Sequence, residues 1–242
     1  MISTVLNNPI IIGGSGGSGT RVVAQICQNL GFYMGQLSYA FDASVFEKFF
    51  DLWTKNYLLG CDIEHLNADF NDYLIKFMNG KNPKLWGFKN TRTLFFVSYF
   101  FELFPKMKYI HVVRDGRDMP FSQNHRQQKE LFDVYFERGW SQSTVYEDAA
   151  RFWNIVNVSA FRLGTMLLGE RYFVIRLEDL VFDKYTTLTE LLKFLDVVGY
   201  EENLVRCIKN PGTFGRYKNH PELIDMITNL MKEGLNEFGY EV

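Results

Sequence analysis

Short runs of consecutive apolar residues alternate along this chain with longer stretches whose apolar positions recur every three or four residues. The runs predict strands over Pro9–Ile12, Trp86–Lys89, Tyr109–Val113 and Tyr172–Arg176. Runs such as "III" and "YIHVV" have no polar alternation, which fits strands covered on both faces, as in a parallel sheet. The periodic stretches predict helices over Thr20–Leu30, Ala43–Leu59, His65–Met78, Thr93–Leu103, Gly116–Lys129, Tyr146–Leu167 and Lys184–Leu195, with a final amphipathic one after Pro221. Strands alternating with helices imply a doubly wound, mostly parallel α/β sheet flanked by helices. No repeat, low-complexity segment or linker divides the chain, so residues 1–242 are expected to form a single domain.

Composition narrows the possible partners. The 26 basic and 28 acidic residues leave a formal charge of −2, so no global field recruits nucleic acid or an acidic membrane. Any anion site must be built locally. The cysteines, Cys27, Cys61 and Cys207, form no CxxC or Cys/His cluster, which fits reduced thiols in the cytoplasm and gives no metal site. The N-terminal "MISTVLNNP" lacks the basic and apolar regions of a secretion signal. The most apolar run, Leu94–Phe104, is too short to span a bilayer and carries Glu102, so it is expected to be a buried helix.

Two polar loops follow predicted strands. The first, Gly14-Ser15-Gly16-Gly17-Ser18-Gly19-Thr20, sits between a strand and a helix. Glycines let the backbone approach a ligand, and successive amides with the positive end of a helix form a phosphate or sulfate site. Ser18 and Thr20 add hydroxyls, and Arg21 adds a cation. The plain alternative is a flexible turn in which Thr20 caps the helix. The NTPase pattern G-x-x-x-x-G-K-[ST] is met at Gly14 and Gly19, but Thr20 stands where lysine belongs, which disfavours an ATPase or kinase. The second loop, Arg114-Asp115-Gly116-Arg117-Asp118, ends the strand "YIHVV", with Ser122 eight residues after Arg114 and expected within the next helix. Arg126 follows Ser122 by four positions and would share its helix face. An arginine fork and a hydroxyl suit a phosphate monoester, whereas the plain alternative has these charges pairing with one another on the surface.

Together the two loops resemble the sulfotransferase family that uses 3′-phosphoadenosine 5′-phosphosulfate (PAPS). The first loop matches that family's [KR]-[SG]-G-T motif at Gly17-Ser18-Gly19-Thr20, and the second its R-D-x-R-D motif with the following serine. The resemblance implies the P-loop-like sulfotransferase fold. It also implies that Ser15, Gly16, Gly17, Ser18, Gly19, Thr20 and Arg21 cradle the 5′-phosphosulfate, and that Arg114 and Ser122 hold the 3′-phosphate. Arg126 is a further donor-site candidate. "YFVIRLEDL" resembles the family's late strand, and "GTFGRYKNHP" its C-terminal basic loop, adding Arg216 and Lys218. "WGFKNTRTLFF", Trp86–Phe96, resembles the Lys-Asp/Asn-Pro segment of the tyrosylprotein and heparan sulfate branches rather than the small-phenol enzymes, with Thr91 where proline is usual.

Gly17 occupies the place of the family's catalytic lysine or arginine. A cation there stabilises the leaving nucleotide as the S–O bond breaks. Lys89 is the leading substitute and Arg21 the second; a third possibility is nucleotide binding without transfer. Asp42 is the candidate base, with Glu47 behind it, both in "YAFDASVFEKFFDLW", whose aromatics are expected to line an acceptor pocket. Asp42 also reads as an ordinary helix N-cap. The expected activity is transfer of a sulfuryl group from PAPS to a hydroxyl of a small molecule, carbohydrate or peptide, releasing 3′,5′-adenosine bisphosphate (PAP). The rival readings are a P-loop phosphotransferase and a non-catalytic nucleotide-binding module.

Overall fold

The four strands lie side by side in a computed structural model of the chain, which describes residues 8–199 and 202–242. The first residues of the stretch read as lacking a secretion signal fall outside these. Strands β1 (Ile10–Gly13), β2 (Gly87–Lys89), β3 (Lys108–Val113) and β4 (Tyr172–Arg176) form one parallel sheet in the order β2-β1-β3-β4. Ile10 pairs with Gly87 on one side and Lys108 on the other, and Val113 with Arg176. The two central strands are therefore those that run into the polar loops. The chain leaves β1 toward β2 on one side, whereas β3 adds on the other, so the crevice between β1 and β3 is a topological switch point.

Alternation along β1 decides the two faces. Ile11 joins the rings of helices α2 (Ser44–Leu58), α3 (Ile63–Met78) and α4 (Val97–Leu103) on one face. Ile10 and Ile12 face α1 (Thr20–Asn29) and later helices on the other. Helices α5 (Arg126–Tyr135), α6 (Val145–Leu168), α7 (Leu177–Phe182), α8 (Lys184–Phe194), α9 (Glu202–Cys207) and α10 (Pro221–Glu237) complete one α/β domain, with α10 packed on α6. The run Leu94–Phe104 is buried over most of its length, as its composition predicts. No described helix is long and apolar enough to cross a membrane, and the three cysteines form no disulfide.

Three local expectations are corrected. The pattern predicts one helix over Gly116–Lys129, but the chain makes a 3₁₀ turn, Gly116–Phe121, turns extended at Ser122, and starts α5 only at Arg126. Pro120 lacks an amide to continue a helix, and Asn124 Oδ1 accepts the Arg126 amide where helix restarts. Ser122 and Arg126 therefore share no helix face. Asp42 is not an N-cap: Ala43 holds that position without a side-chain bond. Thr20 does not cap α1 either, since Gly19 is the cap residue, at φ +93°.

Candidate functional site

The first loop is shaped for glycine. Gly17 has φ +92°, in the left-handed region, and a Cβ on it would lie 3.2 Å from Met119 Cε. At Gly19 a Cβ would lie 2.5 Å from Leu177 Cδ1. A lysine at position 17 would strain this backbone, so the missing cation and the loop's conformation go together. Gly16 donates its amide to Gln127 Oε1 at 2.8 Å, tying the loop to α5. The Ser15 and Ser18 hydroxyls and Gln127 Nε2 are buried with no hydrogen-bond partner. Thr20 is buried, and Arg21 extends outward with its guanidinium 5.4 Å from the Tyr39 ring centre.

Across the switch point, Arg114 follows β3 directly and is buried. Its Nη2 donates to Asp118 Oδ2 at 2.8 Å and to the Thr213 carbonyl, while Nε has no partner. The guanidinium lies 5.0 Å from the Phe214 ring centre. Asp118, wholly buried, also accepts the Gly215 amide at 3.0 Å and the Tyr217 amide at 3.4 Å, which binds the basic loop to Arg114. Arg216 donates to the Thr213 and Phe121 carbonyls. Burial, and then the charge of Arg114, pull Arg216 below its ordinary pKa; both guanidiniums donate to the Thr213 carbonyl. Ser122 adjoins Phe121, and its hydroxyl accepts the Asn124 amide at 3.2 Å. Lys218 is exposed, its ammonium 6.0 Å from the Tyr217 ring centre. The Asp115–Arg117 pair behaves as the plain reading expects: the two bind each other, and Arg117 holds Glu241 O. The Arg114–Asp118 pair is in the interior rather than on the surface.

Lys89 ends β2. Its Nζ donates to Ala40 O at 2.9 Å and lies 3.0 Å from Asp42 Oδ1. Burial pulls its pKa below the usual lysine value; Asp42 opposes this, Arg21 adds to it, and Glu47 opposes it, so all three charges act on Lys89. The Glu47 carboxylate has no hydrogen bond or ion pair among the described residues. Thr91 opens a 3₁₀ turn (Thr91–Phe96) after Asn90, a first-turn position that also accommodates proline.

A cavity of about 590 Å³ joins these parts. Gly16, Gly17, Gly19, Thr20, Arg21, Asp42, Glu47, Lys89, Arg114 and Arg126 line it; Ser15, Ser18, Ser122, Arg216 and Lys218 do not. Arg126, expected beside the nucleotide, lies on this wall and bridges Asp51 at 3.0 Å and Glu130 at 2.8 Å. The expected aromatic lining is corrected. Phe46, Phe49, Phe50 and Trp53 turn into the core, where they pack with Phe70, Phe88 and Phe96, and only Ala40, Asp42, Glu47 and Asp51 of that stretch reach the cavity. Helical spacing at 46, 49, 50 and 53 was the available signal for a core face. Gln127, Arg92 and Lys209 are site residues that sequence spacing does not single out.

The fold agrees with known proteins. The sulfotransferase domain from the curacin biosynthetic pathway superposes with a TM-score of 0.61 at 18% identity, over 98% of this chain and 99% of that one. A sulfotransferase from Alicyclobacillus acidocaldarius gives 0.58 at 14% identity over 97% of each chain. Mouse sulfotransferase SULT7A1, solved with PAP, gives 0.57 at 11% identity over 95% of this chain and 85% of that one. No curated protein sequence gives a significant match. These likenesses establish the fold; the sequence itself matches the sulfotransferase family model over residues 9–202, a span that holds both loops and all four strands, and so the chain belongs to the sulfotransferase family.

Proposed function

We propose that the protein transfers a sulfuryl group from PAPS to a hydroxyl acceptor. The observation that carries this reading is the set of buried polar atoms left without partners, Ser15 Oγ, Ser18 Oγ and Arg114 Nε, in loops at the carboxyl ends of adjacent central strands. Other buried polar atoms without partners lie elsewhere, such as Trp86 Nε1, Tyr99 Oη and Thr228 Oγ1; the Ser15, Ser18 and Arg114 atoms are set apart by belonging to the two loops that meet at the cavity, where a ligand can complete the bonding. The family membership and the PAP-bound mouse relative support the same choice of donor.

When bound, PAPS supplies a sulfuryl group whose bond to the bridging phosphate oxygen breaks as the acceptor oxygen bonds to sulfur. Residues Ser15–Arg21 hold the 5′ end with amides and hydroxyls. Arg114, backed by Arg216 and flanked by Ser122, holds the 3′-phosphate. Lys89, with Arg21 as second candidate, stabilises charge on the bridging oxygen. Of the two carboxylates singled out, Asp42 holds Lys89 in place, and Glu47, the unpaired one, takes the acceptor's proton. The Trp86–Phe96 segment supports kinship with the tyrosylprotein and heparan sulfate branches.

Calorimetry tests the donor. PAP binds at least about tenfold more tightly than adenosine 5′-monophosphate, because charged hydrogen bonds contribute roughly 1.5–3 kcal/mol each. Arg114→Lys, which keeps a charge beside Asp118 but loses the fork, removes most of that preference. Equal affinities for the two nucleotides would refute the assignment. Two observations favour binding without transfer: the loop carries no lysine, and Lys89 is already paired with Asp42 and hydrogen-bonded to Ala40. Turnover with PAPS decides between the two. Stabilisation by ATP with Mg²⁺ in place of PAP would instead point to a phosphotransferase.

A further inference from the structure

Gly17 puts no side chain where the family carries a cation, yet a carboxamide from another element reaches the residue beside it. Gln127, in the first turn of α5, accepts the Gly16 amide on Oε1 at 2.8 Å. A backbone N–H can only donate, so the atom facing Gly16 is the carbonyl oxygen and Nε2 is the other arm of the carboxamide. That nitrogen is buried without a hydrogen-bond partner, on a residue that is 7% exposed and lines the cavity. Burial without a partner does not alone mark a site. Among the described residues that carry such an atom, however, only Asp42, Arg114 and Gln127 line the cavity. Asp42 has Lys89 beside it and Arg114 has Asp118, whereas the Gln127 carboxamide is bonded to the loop alone.

The bond to Gly16 changes what this side chain can do. It occupies an N–H that a phosphate cradle would otherwise aim at its ligand, and it passes that donor's pull along to Nε2. A carboxamide that accepts on its oxygen becomes a stronger donor at its nitrogen, by about 10–30%. Behind it lies the first turn of a ten-residue helix, the end at which a helix favours negative charge. A donor strengthened in this way, beside a glycine loop, is matched to an anionic oxygen. The carboxamide does not titrate, so it donates at every pH at which the protein is folded.

We propose that Gln127 Nε2 donates a hydrogen bond to the 5′-phosphate of the nucleotide and takes over part of the work of the absent loop cation, an assignment that rests on the PAPS reading above. One oxygen of that phosphate is the bridging oxygen of PAPS, which keeps the electron pair of the broken S–O bond. Gln127 gives up no proton; it stabilises the charge that this oxygen gains. PAP already carries the 5′-phosphate and reports the contact without turnover.

Nitrogen-15 NMR reads the contact directly. The side-chain amide signals of Gln127 are those missing from Gln127→Glu. In the parent they shift and exchange more slowly when PAP is added, and adenosine 3′-monophosphate, which lacks the 5′-phosphate, leaves them in place. Calorimetry measures the same contact as affinity. Gln127→Glu keeps an oxygen for the Gly16 amide but puts a second oxygen where Nε2 stood, and an acid in a first helical turn favours folding. Gln127→Met fills similar space without donor, acceptor or charge. Both variants bind PAP about tenfold or more weakly, bind adenosine 3′-monophosphate within about twofold of the parent, and keep Tm near its value. A purely structural tie to Gly16 predicts that Glu matches the parent and only Met weakens binding. A bare effect of charge predicts that only Glu does. Either result overturns the proposal, as do Gln127 signals that ignore PAP, and all three leave the donor reading standing. A parent protein that binds PAP no better than adenosine 5′-monophosphate refutes the donor reading and this contact together.

Discussion

Replacing Lys89 by methionine removes the cation proposed to act on the leaving oxygen, and it does two things at once. The Lys89 side chain is 3% exposed, with its ammonium bonded to Ala40 O, and the side chain of its partner Asp42 is 17% exposed. Stripping the partner from a buried carboxylate costs about 3–5 kcal/mol; Asp42 keeps some access to water, so the low end, ~3 kcal/mol, applies. For a chain of this size that lowers Tm by roughly 6–12 °C. Loss of a cation from the transition state costs a further ~3 kcal/mol in the barrier, about 100-fold in turnover. The double variant Lys89→Met with Asp42→Asn separates the effects, because it leaves no uncompensated charge. Thermal unfolding, PAP calorimetry and turnover with the best acceptor are measured on both variants. The double variant recovers most of the lost Tm yet stays about 100-fold slow, with PAP affinity changed less than about threefold. Turnover of the double variant within about fivefold of the parent would refute the role given to Lys89.

Two further outcomes follow from the same geometry. Glu47→Gln lowers kcat by roughly 10²–10⁴ while leaving PAP affinity and Tm near the parent values; near-normal turnover would return the proton to Asp42 or to water. His111, buried with Asn157 and Tyr172 around its ring, is pulled from 6.5 to about 4, mainly by burial. Between those values the unfolded chain binds a proton that the folded one does not. Stability therefore falls as pH drops from 6.5 toward 4, by up to ~3 kcal/mol from this group. Urea unfolding at pH 7 and 4.5 checks it: His111→Gln narrows the difference between the two, and an unchanged difference would dispose of the explanation.

The strands are legible in the sequence because a parallel sheet covered on both sides needs unbroken apolar runs, and "III" and "YIHVV" have no other comfortable place. The loops are legible because glycines, arginines and hydroxyls at strand ends have few structural uses. The break at Pro120 was visible as a residue, but the restart at Arg126 depends on Asn124 closing the turn, a contact that periodicity does not register. The structural role of Asp118 was hidden for another reason. Its partners lie 97 and 99 residues away at Gly215 and Tyr217, and a buried aspartate looks in sequence like any other member of a charged turn. The aromatic stretch misleads because phenylalanines that fill a core and those that line a pocket are the same residue type. Only the helical phase tells them apart.

Asp118 also bears on how the basic loop moves. Gly215 and Tyr217 belong to a short connection that would ordinarily exchange its amide hydrogens within the time taken to mix solutions. Both amides are bonded instead to a carboxylate that is itself wholly buried and bonded to Arg114. In deuterated solvent these two amides should keep their protons on the timescale of the surrounding helices. The proposed nucleotide would then meet a loop whose ordering entropy was already lost when the chain folded, so its association should be limited by encounter rather than by rearrangement of the loop.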